Sequence, residues 1–148
     1  MFSYLFAMNS IGLVVSGMIS NLFLVKGVSA RRLLMIGMVI HTLFSAILYL
    51  LTTQMELTIL VYTFFLAISI SALGLVLGNI TALTMSSDGK QAGAASSVMG
   101  VLQYLLPAIT GYIASLFVQS IALLPIAIAI CGVLGIALWL LCKKTQNL

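Results

Sequence analysis

An all-α protein that crosses a membrane several times is the fold class this sequence predicts, and two observations carry the prediction. Of 148 residues, six are Lys or Arg and two are Asp or Glu, 5% in all, where a soluble domain carries about 25%. Hydrophobic residues make up 63% and the mean hydropathy is +1.30. Eight formal charges cannot coat a globule of this size with polar surface. A soluble enzyme, a disordered tail and a secreted disulfide scaffold are excluded on the same grounds. The lipid bilayer is the expected solvent.

Taken in order, the elements follow from where the charges interrupt apolar runs. A spanning helix needs about 20 such residues. Residues 2–24 form the first uncharged run, closed by Lys26. Residues 33–51 form the second, ending at the polar turn Thr52-Thr53-Gln54-Met55-Glu56. Residues 57–85 form the third and stop at Ser86-Ser87-Asp88-Gly89-Lys90. From Gln91 to Leu141 no charge appears, and one helix of that length would measure roughly 75 Å, over twice the hydrocarbon thickness. A hairpin is therefore expected, with spans 91–118 and 121–141, a break at Gln119-Ser120, and Pro125 in the first turn of the last helix. These five spans form one unit, residues 1–148, with loops too short for a separate domain.

Cations fix the expected orientation. Lys26, Arg31 and Arg32 follow the first span, Lys90 the third, and Lys143 and Lys144 the fifth, so all six fall on one side. The positive-inside rule places the N-terminus outside and the C-terminus in the cytoplasm of a cell-membrane protein. Trp139 suits an interfacial anchor on the inner side. Neither a basic leader nor a small-residue cleavage site follows Met1, so no signal peptide is expected. The pI of 9.3 reflects a net charge of only +4, with no basic stripe for nucleic acid.

Polar groups inside a span usually face other helices or a wet cavity. Asn9, Ser10, Ser16, Ser20 and Asn21 in the first span, Ser69, Ser71, Asn79 and Thr81 in the third, and Ser96, Ser97, Gln103, Tyr104 and Thr110 in the fourth mark those spans as interior. The fifth, almost without polar residues, reads as lipid-facing. Asn9, Asn79, Gln103 and Tyr104 are the candidate cavity residues. Small residues at four-residue spacing, Gly12 with Ser16, Gly74 with Gly78 and Ala82, and Gly93 with Ser97, predict close helix packing. Pro107 should free the carbonyl of Gln103, either lining a cavity or simply bending the helix to fit the bundle. His41, the one histidine, has no neighbouring carboxylate and suits a hydrogen-bonded packing role.

No catalytic constellation stands out. Glu56 and Asp88 lie in loops, no metal-ligand cluster is visible, and Cys131 and Cys142 sit roughly 16 Å apart on one helix, beyond disulfide reach. An enzyme is not expected, nor a cofactor or a metal.

One sequence resemblance is sharper than these patterns. Gly78-Asn79-Ile80-Thr81-Ala82-Leu83, a short loop, then Ala92-Gly93-Ala94-Ala95-Ser96-Ser97-Val98-Met99-Gly100-Val101-Leu102-Gln103 closely resembles helices ten and eleven of the bicyclomycin/chloramphenicol-resistance (Bcr/CflA) group of drug efflux transporters. These are twelve-span members of the major facilitator superfamily. The stretch from Gly17 through Lys26-Gly27 to Arg31-Arg32 resembles the group's short loop between helices eight and nine, with Asn21 near the place where an Asp is often found. The resemblance maps the whole chain onto helices eight to twelve, a partial major facilitator fold. It implies a multidrug/proton antiporter working by alternating access, with small amphipathic drugs and protons as substrates. It also implies that this portion is inactive by itself without the missing N-terminal helices or another copy. The rival expectation is a small structural or interaction membrane protein that transports nothing.

Overall fold

The computed structural model describes residues 2–86, 92–116 and 121–145, with side chains described for 6–86, 93–116 and 121–142. Asp88, Lys90 and the proposed break at Gln119-Ser120 lie outside the described residues, as do the side chains of Lys143 and Lys144. The described chain forms five α-helices: α1 Phe2–Val25, α2 Ala30–Gln54, α3 Ile59–Ser86, α4 Ala92–Leu116 and α5 Leu123–Thr145. All five are long and apolar enough to cross a membrane. Each overlaps an expected span, and α2 runs three residues beyond 33–51 at both ends, through Ala30, Arg31 and Arg32 and through Thr52 to Gln54.

Helix ends obey local chemistry. At the end of α1, Gly27 adopts φ +86°, its N–H donates to the carbonyl of Leu24 at 2.9 Å, and the Val28 N–H donates to that of Phe23 at 3.0 Å. This paired arrangement ends a helix in the left-handed region that favours glycine. It turns the chain within four residues into α2. Pro125 is fully buried two residues inside α5, where its missing N–H leaves no helical bond broken.

Side-by-side order differs from chain order: α1, α3, α2, α5, with α4 lying lightly against α3. Contacts of Gly12 with Ser71 and of Gly74 with Ser16 run in the same chain direction, so α1 and α3 are parallel. Gly37 against Ala72 and Val76, with His41 against Ser69, makes α2 antiparallel to α3. Gly132 against Thr42 and Gly135 against Met38 makes α5 antiparallel to α2. Arg31 and Arg32 therefore share one end with Trp139 and Cys142, while Glu56 shares the other with Ile121. There the Tyr62 hydroxyl donates to the Ile121 carbonyl at 3.4 Å.

The α2–α3 seam is the core. Leu33, Leu34, Leu48 and Ala72 are its buried hydrophobic side chains. The fifth span was expected to face lipid, but α5 has a packed face. Glycines 132 and 135 remove side chain where Thr42 and Met38 approach, so small size rather than polarity docks this helix. By contrast α4, expected to be interior, has no buried residue among those described.

Candidate functional site

The reason polar content overstated the interior of this chain lies in its hydroxyls. Thr81 donates to the Leu77 carbonyl at 2.8 Å, Ser97 to Gly93 at 2.9 Å, Thr110 to Leu106 at 2.9 Å and Ser115 to Tyr112 at 2.6 Å. Each hydroxyl is satisfied by its own helix, so it can face hydrocarbon at little cost. Amides and imidazoles cannot close such a bond fully and are the more informative groups.

His41 is the first of these. Its Nδ1 lies 2.8 Å from the carbonyl oxygen of Ser69. A carbonyl only accepts, so Nδ1 carries the proton and, in the neutral ring, Nε2 is the acceptor. The Ser69 hydroxyl donates to the His41 carbonyl at 3.0 Å, and the Ser45 hydroxyl donates to the same carbonyl at 2.6 Å. Ser69 and Ser45 are buried. The cluster joins α2 to α3 at mid-helix, and it is the hydrogen-bonded packing role expected of His41.

Asn79 is the second. Its amide nitrogen donates to Ser20 Oγ at 2.7 Å and to the Leu75 carbonyl at 2.6 Å. Because the Leu75 oxygen only accepts, the amide cannot be turned over. Asn79 is 1% exposed and stands in the α1–α3 contact. Expected to line a cavity, it instead bonds across a helix interface, where apolar surroundings strengthen the demand for a partner. Its Oδ1 and that of half-buried Asn9 have no partner among the described residues.

The small-residue stripes divide in the same way. A Cβ on Gly12 would meet Ser71, and one on Gly74 would meet the Leu13 carbonyl, the Gly17 nitrogen at 2.9 Å and the Ser16 Cβ at 2.9 Å. Gly12, Ser16 and Gly74 therefore form a true close approach. Gly78 and Gly93 would meet nothing within 4 Å, and Ala82 and Ser97 are exposed. Those four do not pack against a helix here, because the line of α1 contact on α3 steps from Gly74 to Asn79 and leaves the Gly78 face open. Sequence reading missed Gly37, whose Cβ would lie 2.8 Å from that of Leu75. The four-residue series Gly37, His41, Ser45 was the available signal.

The open site lies on the other side of α3. A groove of about 700 Å³ runs between α3 and α4, lined by Leu77, Ile80, Val98, Met99, Leu102 and Gln103 among others. This volume is within the range of small-molecule sites, about 300–1,000 Å³. Gln103 sits at the middle of α4, one turn before Pro107, and among the described residues its side chain has no hydrogen-bond partner. Tyr104, one residue on, is 79% exposed and lies outside the groove lining. The groove thus gathers one of the four cavity candidates, Gln103. Lys26, Arg31 and Arg32 are exposed at one end of the bundle, as interfacial anchors would be.

Apolar helices wrapped around so few internal polar partners define a class: a multi-pass helical membrane protein with an open lateral groove. In comparisons with known proteins, no family model, curated protein or solved structure matches this chain.

Proposed function

We propose that the chain supplies helices eight to twelve of a major facilitator drug/proton antiporter of the Bcr/CflA type, and that the α3–α4 groove is its share of the drug-binding wall. The observation that carries this reading is Gln103. An amide left without partners in hydrocarbon costs several kcal/mol, yet Gln103 stands at the centre of a spanning helix, in an open apolar groove of about 700 Å³. Water, a substrate or further helices must reach it. Tyr104 and Tyr112 add exposed hydroxyl-bearing rings to the same helix, which suits a helix covered by others. The sequence resemblance gives the groove its substrate class: a mostly apolar surface with a single amide fits small amphipathic drugs. Alternating access would come from one half rocking against the other about this cavity. Five helices form only part of such a cavity, so these 148 residues are inactive without further helices, N-terminal to them or from another copy.

Drug accumulation tests the proposal. Cells expressing this chain, a chain carrying the other seven helices, or both, are loaded with chloramphenicol. Proton-gradient-dependent efflux only in the combined cells is expected, and Gln103→Leu should reduce it. Efflux from the chain alone would overturn the partial-transporter reading. No efflux in any combination would favour a structural or interaction protein.

A further inference from the structure

The basic end of the bundle carries a second cavity, next to the α3–α4 groove and sharing Ile80 and Thr84 with it. It measures about 730 Å³ and lies between the start of α2, the end of α3 and the end of α5, lined by Arg31, Arg32, Met35, Ile36, Leu83 and Trp139 among others. Three features make this place unusually positive. Arg31 and Arg32 occupy the first turn of α2, which contains no acidic residue, and the N-cap Ser29 makes no side-chain capping bond. The helix terminus therefore adds its own partial positive charge to two guanidinium groups, although the Arg32 and Leu33 N–H groups already donate to the Ser29 carbonyl at 3.0 and 3.2 Å. Among the described residues the one carboxylate, Glu56, is at the opposite end. Below the cations the lining turns apolar, and Trp139 belongs to the residue type that sits at headgroup level.

We propose that this cavity holds an anionic membrane phospholipid, its phosphate against Arg31, Arg32 and the first turn of α2 and its acyl chains along Met35 and Ile36, one turn deeper. Along α2 the cations come first and Met35 and Ile36 follow one turn deeper, the order of a phospholipid from headgroup to chain. Guanidinium groups bind phosphate in a bidentate manner. A lipid in this position bridges α5, α2 and α3 one turn beyond the Gly37 and Gly135 contacts.

Trp139 is the only tryptophan, so its fluorescence reports this cavity directly. The 148-residue chain is reconstituted in bilayers containing equal mole fractions of brominated phosphatidylglycerol or brominated phosphatidylcholine. The anionic lipid should quench Trp139 with at least about fivefold higher apparent affinity, the factor that one surface cation contributes. Arg31→Gln with Arg32→Gln should abolish the preference with the helical circular dichroism unchanged, and Arg31→Lys with Arg32→Lys should keep much of it. Equal quenching by both lipids would overturn the assignment. So would a preference that survives the Gln substitutions, or one removed by millimolar inorganic phosphate at constant ionic strength.

Discussion

Gly74→Ala puts the α1–α3 contact under the most direct strain. The new Cβ would meet the carbonyl oxygen of Leu13, the Gly17 nitrogen at 2.9 Å and the Ser16 Cβ at 2.9 Å. Two of these are backbone atoms and cannot rotate away, so α1 must withdraw. Overpacking of this kind costs about 1–3 kcal/mol. Withdrawal also lengthens the bond from Asn79 to Ser20, 2.7 Å in the native contact, and such interhelical bonds contribute about 0.6–1.7 kcal/mol in membranes. The expected loss is roughly 2–5 kcal/mol. Gly78→Ala, four residues on, adds a Cβ with nothing within 4 Å. Both changes gain the same intrinsic helix propensity, up to about 1 kcal/mol, so their difference isolates the contact. Equilibrium unfolding in mixed detergent micelles, followed by circular dichroism, measures it. Equal stability of the two variants would refute the close approach of α1 to α3.

Other expectations follow from the same contacts. His41→Ala removes the link to Ser69 and should destabilise the α2–α3 seam. Because the acceptor is the Ser69 backbone carbonyl, the single substitution should cost at least about 0.6–1.7 kcal/mol, and unchanged stability would deny the bond. Gly132→Leu should detach α5 from α2, because its Cβ already meets Thr42, whereas Ala127→Leu on the exposed face should be mild; paired-cysteine cross-linking between α2 and α5 reports the difference. In a background with Cys131 and Cys142 replaced by Ser, Glu56→Cys should react with an impermeant maleimide added outside intact cells. Labelling only after membrane disruption would reverse the orientation drawn from the cations.

Much of the fold was legible because hydrocarbon imposes simple requirements. Charges mark the ends of α1, α2 and α3, and a run too long for one helix divides into α4 and α5. The order of packing was less legible. Ser97 and Thr110 look functional in a sequence, yet each bonds its own helix, which requires no interior position. Gly74 and Gly78 look equivalent by spacing, but only the register against α1 decides which is crowded. Gly132 and Gly135 went unread because α5 has few polar neighbours to draw attention to them, while docking needed only small size. Of the four cavity candidates, chosen as polar groups in mid-span, Gln103 is the one that lines the α3–α4 groove. Asn79, chosen for the same reason, bonds its own helix at Leu75 and also Ser20 of α1, the second a pairing fixed by tertiary register alone.

Substrate protection at position 103 tests the central claim, that the α3–α4 groove is part of a drug-binding wall. Gln103→Cys is introduced with Cys131 and Cys142 replaced by Ser, and the chain is expressed together with one carrying the complementary seven helices. The account predicts that the introduced thiol reacts with a small water-soluble maleimide and that chloramphenicol slows this reaction, while Ala127→Cys on α5 shows no drug effect. A thiol at position 103 that is inert to the reagent, or that reacts at the same rate with and without drug, would contradict it.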